Sequence, residues 1–181
     1  MSKVDNIPDA DMLGVHDFDF LLGKWRVRHK TLIGRLVGAV EWVEADAIDV
    51  VRPAFGGLGN VGQFIRYVDG EAYTGMPVRL CDPKNGVWRI WWLDTMEQSM
   101  EPPVIGGFSG GEGLFIGDDV LRGAPIKVRF TWTDITENTA RWDQAFSSDG
   151  GRTWELNAIM EFTRDNSLPE TPTHACLLGA E

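Results

Sequence analysis

Histidine is the side chain that most readily gains and loses a proton near neutral pH. This chain has three histidines, His16, His29 and His174. His29 alternates in phase with Trp25 and Val27, so a strand at this point would turn all three side chains to one buried face. A buried histidine is more often a hydrogen-bonded core residue than a catalyst or ligand. Both alternatives stay open for His29.

Glu161 is the other acid–base candidate, but it is out of phase with Met160 and Phe162, which predicts that it faces water. No two histidines share the spacing of metal ligands, and of the two cysteines only Cys176 lies near a histidine in the sequence. We therefore expect no metal site and no cofactor.

A glycine-flanked serine, Ser109, gives residues 107–111 (GFSGG) the Gly-x-Ser-x-Gly spacing of a nucleophile elbow. That elbow needs a buried strand before the serine and a helix after it. Pro102 and Pro103 precede the motif and glycine follows it, so the helix is missing. A glycine-rich turn accounts for the spacing, and we expect neither serine catalysis nor a phosphate loop, for which the lysine motif is absent.

Aromatic residues are concentrated in one segment, where strand alternation puts Trp88, Ile90 and Trp92 on one face and Arg89 and Trp91 on the other. An aromatic face turned inward either lines a pocket for a planar or apolar ligand or simply fills the interior. An aromatic face turned outward is a common mark of a subunit interface, which leaves a homo-oligomer open.

Candidate ligand-binding residues follow from strand phase and aromatic character. They are His29, Tyr67, Tyr73, Trp92, Trp132 and Trp142.

Alternating or apolar runs separated by turn residues predict the strands that would position these side chains. The predicted strands are 24–33, 37–51, 61–68, 72–81, 87–93, two within 104–121, 126–134, 139–147 and 153–164. Asp69-Gly70 and Asn85-Gly86 are tight-turn pairs. A short helical turn, capped by Asp17, precedes the strands. Roughly nine or ten short strands with short links indicate an all-β protein with a single closed antiparallel barrel.

Three regions divide the chain. Residues 1–16 are predicted to be a polar leader, residues 17–164 the barrel, and residues 165–181, which contain Pro169 and Pro172, a loose C-terminal tail.

The net charge of −10 argues against nucleic acid and anionic membrane surfaces as partners. No apolar run approaches the roughly 20 residues of a membrane span, and the N-terminal residues do not resemble a signal peptide. Two cysteines do not make a disulfide framework, so the sequence predicts a reducing, cytoplasmic location.

The Gly-x-Trp of Gly23-Lys24-Trp25 at the start of the first strand resembles the lipocalin, or calycin, superfamily. In that superfamily the tryptophan closes one end of the barrel under an arginine from the last strand, where this chain has Arg164. The segments around Trp25 and 146–164 are also similar to a group of uncharacterised bacterial lipocalin-like proteins. The resemblance covers residues 17–164 and implies structural roles for Gly23, Trp25 and Arg164.

Residues 147–154 match the Asp-box pattern of sialidase-like propellers, where the box is a hairpin turn remote from the chemistry. A propeller repeats the box in each blade, whereas it occurs once here, so we expect Asp149 and Trp154 to be structural. Haem-binding barrels similar to nitrobindin also open with Gly-x-Trp, but the glycines that follow there are replaced here by residues 26–28. This departure disfavours haem.

The leading hypothesis is a barrel that binds a small apolar or aromatic molecule in its interior. The alternatives are a cofactor-free enzyme of lyase or isomerase type on the same barrel, and an interaction or structural module whose barrel is filled by side chains. Phenolic-acid decarboxylases are an example of such chemistry on a calycin barrel. An interior cavity would separate the first two hypotheses from the third.

Overall fold

The computed structural model describes residues 13–68, 70–174 and 176. Its strands are β1 Gly23–Leu32, β2 Trp42–Ala54, β3 Gly59–Val68, β4 Glu71–Asp82, β5 Val87–Asp94, β6 Val104–Ser109, β7 Glu112–Leu121, β8 Ala124–Thr133, β9 Thr139–Ser147 and β10 Glu155–Arg164. Each strand pairs antiparallel with the next, and β1 also pairs with β10, so the sheet closes on itself. The predicted all-β class and closed antiparallel barrel are confirmed.

Alternation along β1 shows how the sequence makes two different surfaces. Trp25, Val27 and His29 are buried in the interior, whereas Arg26 and Arg28 on the same strand are exposed. Successive side chains of a strand point to opposite faces, so a period of two in polarity is enough to separate the core from water.

β2 begins later than predicted, at Trp42 rather than at residue 37, and it ends at Ala54. Gly34, Leu36 and Gly38 have φ angles of 81°, 57° and 74°. A left-handed backbone cannot continue an extended strand, so residues 33–41 form a loop instead. The backbone N–H of Ile33 donates to the carbonyl of Glu41 across the base of this loop, at 2.8 Å.

The predicted helical turn is a 3-10 turn over Asp19–Leu21. Asp17 does not cap it, because Phe18 occupies the N-cap position and no side chain caps the turn. Asp17 belongs to the preceding bend, where its backbone N–H donates to Gly14. The Phe18 ring enters the barrel and packs against Trp88 at 4.9 Å between ring centroids, which closes this end.

Arg164 joins the elements at the closed end, which we call the floor. Its guanidinium carbon lies 4.1 Å from the centroid of the Trp25 ring. The same guanidinium donates to the carbonyls of Phe20, Leu22 and Glu137, each at 2.7 Å. One side chain thus links the N-terminal turn, the first strand and the loop between β8 and β9.

Gly23 stands beside this arginine with a φ of 119°, a conformation that favours glycine. A β carbon at Gly23 would lie 2.5 Å from Arg164 Nη1. The approach of the guanidinium to the Leu22 carbonyl therefore requires a residue without a side chain.

The loop between β9 and β10 is organised by Asp149. Its Oδ1 accepts from the backbone N–H groups of Arg152 and Thr153, and its Oδ2 accepts from the Thr153 hydroxyl at 2.7 Å. These hydrogen bonds hold the pKa of Asp149 well below its usual range. The Trp154 indole N–H donates to the Gly151 carbonyl at 3.0 Å.

Residues 165–174 pack against the outside of the barrel, whereas the sequence predicts a loose tail over 165–181. Residues 175 and 177–181 of that predicted tail lie outside the described residues. Leu168 is buried against Ile48 and Val50, two outward-facing residues of β2. Lys24 Nζ donates to the Leu168 carbonyl and pairs with Glu170, both at 2.8 Å. Ile48 and Val50 form an apolar stripe on the outer face of the sheet, and the segment packs against this stripe and removes it from water.

Replacing Arg164 by lysine should destabilise the barrel by about 2 kcal/mol. The single nitrogen of lysine cannot replace the three guanidinium nitrogens that donate to three carbonyls, and lysine has no planar group to lie over the Trp25 ring. Urea unfolding followed by tryptophan fluorescence measures the difference. Arg152→Lys, in an exposed loop, is the matched control. A loss at Arg164 no larger than in this control would contradict the role of the clamp.

Candidate functional site

The barrel interior contains a cavity of about 260 Å³ between the floor and the opposite end. Aromatic rings form much of its wall: Phe64, Tyr73, Trp92, Phe130, Trp132, Trp142 and Phe162. An adjoining space of about 430 Å³ lies towards β5–β8 and the loop 95–103, and shares Arg35, Trp92 and Glu101 with the first. We call this upper end, formed by loops 33–41, 95–103 and 148–154, the mouth.

Five of the six predicted binding residues line this cavity: His29, Tyr73, Trp92, Trp132 and Trp142. The sixth, Tyr67, does not. It lies on the outer face of β3, where its ring centroid is 5.4 Å from that of His174.

The position of Tyr67 follows from the register of β3, in which Phe64 and Arg66 take the inward positions. The outer face of this strand is also apolar, since Ile65 is buried there. Phase and hydrophobicity therefore gave no means of telling the two faces of β3 apart.

His29 is held as a neutral hydrogen-bonded ring. Arg66 Nη1 lies 2.9 Å from His29 Nδ1, and because arginine only donates, Nδ1 is the acceptor. Nε2 then carries the proton and donates to the Thr31 hydroxyl at 3.2 Å. Burial, followed by the charges of Arg66 and Arg35, lowers the pKa of His29 to about 3. Because Arg66 donates to the lone pair of Nδ1, His29 is not free to act as a base, and it instead holds the Arg66 guanidinium in position.

A second network joins Tyr73, Trp92 and Asp94 on β4 and β5, next to Arg66, whose guanidinium carbon lies 4.7 Å from the centroid of the Tyr73 ring. The Tyr73 hydroxyl and the Trp92 indole N–H both donate to Asp94 Oδ2 at 3.0 Å, and Oδ1 accepts from the backbone N–H groups of Met96 and Glu97. Burial acts to raise the pKa of Asp94, but these hydrogen bonds hold it below its usual value.

Gly75 fixes the position of the Trp92 ring in this network. A β carbon at Gly75 would lie 2.2 Å from Trp92 Cζ2, so the indole rests directly on the backbone of β4. Any side chain here would push Trp92 away from Asp94.

Two charged residues lie deep in the barrel near the floor. Asp49 and Arg79 are both almost fully buried and line the cavity. Burial raises the pKa of Asp49 to about 6 and lowers that of Arg79 to about 10. Arg79 donates to Asn60 Oδ1 at 2.9 Å, and Asp49 Oδ1 has no hydrogen-bond partner among the residues described.

Arg35 and Glu101 lie at the mouth, on loops 33–41 and 95–103. Burial is the main cause that lowers the pKa of Arg35. Burial also raises the pKa of Glu101 to about 7, with Asp119 and Asp94 adding to the effect. Both side chains border the two connected spaces.

The remaining sequence candidates lie elsewhere. Ser109 ends β6 and leads through Gly110 and Gly111, both with positive φ, directly into β7, so no helix follows it. Glu161 lies on the outer face near Lys30 and Arg141, in the solvent-facing orientation predicted for it. Neither residue belongs to the cavity.

Sequence reasoning missed the charged residues of the cavity, for two different reasons. Arg79 shares phase with Tyr73 on β4, so alternation carries a usable signal for it. Arg66 lies on β3, whose two faces alternation does not distinguish. Loop residues such as Arg35 have no periodicity that would show where they point.

Among the described residues, no three His, Cys, Asp or Glu side chains come together as a metal site. Within those same ranges, no helix is long and apolar enough to cross a membrane.

No protein-family model matches this chain, and no curated protein matches it. Among solved structures, it is similar to an S-type phycobiliprotein lyase from Guillardia theta, with 10% identity and a TM-score of 0.51 over 82% of this chain and 90% of that one. The two chains share a fold. A redesigned β-barrel also matches, with 12% identity and a TM-score of 0.46 over 86% of this chain and 98% of that chain.

At such low identity the likeness to the lyase shows the fold and says nothing about activity. Membership of the uncharacterised bacterial lipocalin-like family, which the sequence motifs resemble, therefore remains a prediction.

The buried neutral state of His29 predicts a dependence of stability on pH. Its pKa is about 3 in the folded chain against an ordinary 6.5, so below pH 6.5 the unfolded chain takes up a proton that the folded chain does not. Stability should fall from pH 6.5 towards 3, by up to about 1.4 kcal/mol per pH unit from this group.

Urea unfolding at a series of pH values tests this with His29→Gln, which keeps hydrogen bonding but cannot titrate. The difference between wild type and variant isolates His29 from Asp49, whose raised pKa acts in the opposite direction below pH 6. Parallel profiles for the two proteins would show that His29 does not titrate as described.

Proposed function

We propose that this barrel binds one small aromatic or apolar molecule in its interior. The observation that carries the proposal is the cavity of about 260 Å³ walled by aromatic rings. An apolar protein cavity of about 150 Å³ holds benzene, so this volume suits a molecule of one or two aromatic rings.

The character of the wall supports this function. Ligand sites are mostly apolar with a few placed polar groups, and here Tyr73, Trp92 and Asp94 form such a group at one wall. Their hydrogen bonds hold the aromatic rings in place before a ligand arrives, which reduces the entropy lost on binding. A barrel filled by its own side chains would leave no such space, so the interaction-module alternative lacks support.

A cofactor-free enzyme on the same barrel is a second candidate, favoured by one observation. Glu101 borders the cavity with a pKa raised to about 7, where a carboxyl group can both give and accept a proton. This residue replaces His29 and Glu161, the acid–base candidates suggested by the sequence.

We also propose a cytoplasmic location, because two cysteines do not make a disulfide framework. The net charge of −10 supports the proposal that nucleic acid is not a partner.

Binding of aromatic compounds should raise the melting temperature of the wild type, by an amount equivalent to about 2.7 kcal/mol at a hundredfold excess over Kd. Ala158 lines the cavity, and Ala158→Leu would fill part of it. The variant should lose the thermal shift, because the added carbons occupy the ligand's volume. Thermal-shift screening of one- and two-ring compounds, followed by calorimetry, provides the measurement.

The matched control is Ala72→Leu, which adds the same atoms at an exposed position of β4. It should bind as the wild type does. Equal shifts in both variants would place any binding outside the cavity, and the absence of a shift across the whole panel would count against the proposal.

Catalysis is tested on any compound that binds, by mass spectrometry of the mixture over time. If Glu101 transfers a proton, Glu101→Gln should abolish conversion while calorimetry shows that binding is kept. If Glu101→Gln still converts the compound, Glu101 is not the residue that transfers the proton. If compounds bind to the wild type but are not converted, the enzyme hypothesis is rejected and the binding function stands.

A further inference from the structure

Two arginines from different elements, Arg35 of loop 33–41 and Arg66 of β3, converge on the upper part of the cavity. Arg66 Nη1 lies 2.9 Å from His29 Nδ1, and the Arg66 guanidinium carbon lies 4.7 Å from the centroid of the Tyr73 ring. Burial is the main cause that lowers the pKa of both Arg66 and His29, and the charge of Arg35 lowers each further. Two like charges in one partly buried space are unfavourable unless an anion joins them.

No acidic side chain in the described chain pairs with either arginine, since the ion pairs involve other residues. Arg66 donates from Nη1 to neutral His29, and its buried Nε has no partner among the residues described. The two guanidiniums therefore retain donors that no protein anion satisfies.

The nearest carboxylates are poorly suited to supply that charge. Both oxygens of Asp94 already accept hydrogen bonds, from Tyr73 and Trp92 on one side and from two backbone N–H groups on the other. Glu101, with a pKa near 7, is only partly ionised at neutral pH. The arginine pair thus lacks a full counter-charge within the protein.

We propose that the cavity selects an aromatic ligand that carries a carboxylate, and that Arg35 and Arg66 bind this carboxylate while the aromatic walls hold the ring. The proposal rests on the proposed function and adds the chemical class of the ligand. Guanidinium groups match a carboxylate with paired, charge-assisted hydrogen bonds.

A single negative charge fits this site better than a phosphate. Glu97 and Glu101 line both the cavity and the adjoining space, and Asp119 borders the adjoining space. These carboxylates would repel a doubly charged group more strongly than a singly charged one. An aromatic ligand with an alkylammonium group is disfavoured because it would bring a third cation to the arginine pair.

Isothermal titration calorimetry at neutral pH tests the proposal with 2-naphthoate and its neutral analogue of similar shape, 2-methylnaphthalene. Wild-type protein should bind 2-naphthoate about tenfold or more tightly, since hydrogen bonds to charged groups contribute about 1.5–3 kcal/mol. Benzoate and toluene repeat the comparison for a single ring. Arg35→Gln and Arg66→Gln should each reduce the preference to roughly threefold or less.

Arg89→Gln is the matched control, because Arg89 lies on the outer face of β5 between the inward residues Trp88 and Ile90. It removes the same charge from the chain and should keep the full preference for the carboxylate. If Arg66→Gln fails to fold, Arg66→Lys is the substitute variant. It keeps the positive charge but loses the paired N–H donors of the guanidinium, so it should still weaken the preference for the carboxylate severalfold.

The outcomes separate this proposal from the proposed function. Equal binding of the charged and neutral probes to the wild type, or a carboxylate preference that survives in both Arg35→Gln and Arg66→Gln, would overturn the carboxylate site while interior binding stands. Failure of every probe to bind would overturn both.

Discussion

The pairing of β1 with β10 is the contact on which the rest of the structure depends. It removes the two free edges that an open ten-stranded sheet would expose, and it brings Trp25 directly opposite Arg164 in the register. The floor follows from this register, because Arg164 can reach the N-terminal turn only when its strand lies beside β1. Closure of the sheet and closure of one end are thus consequences of the same pairing.

A closed sheet of this size also explains why the interior is not filled. Eight strands make a barrel that side chains can just fill, and additional strands widen it. Here Phe18 and its aromatic neighbours fill the lower part, while the upper part keeps a cavity of about 260 Å³. Charged side chains enter that upper part from loops and strand positions, so the cavity has aromatic walls and an unusual density of ionisable groups.

Apolar residues on the outer surface of the barrel explain why the sequence pattern places Tyr67 on the wrong face. β2 buries apolar residues on both faces, since Leu168 covers Ile48 and Val50 from outside, and β3 buries Ile65 on its outer face. A strand covered on both faces loses the alternation that marks its inward side. Alternation along β3 therefore does not show that Tyr67 lies on the outer face, where its ring packs against His174.

The sequence by itself determined the fold class, most of the strands and five of the aromatic or histidine residues that line the cavity, because alternation along a strand is a local property. It also indicated a partnership between Trp25 and Arg164, through a resemblance. Only the tertiary structure decided the protonation of His29, the gathering of Arg35 with Arg66, and the burial of Asp49. Those properties depend on side chains distant in sequence that meet in a space of low polarity, where burial and neighbouring charges set each pKa.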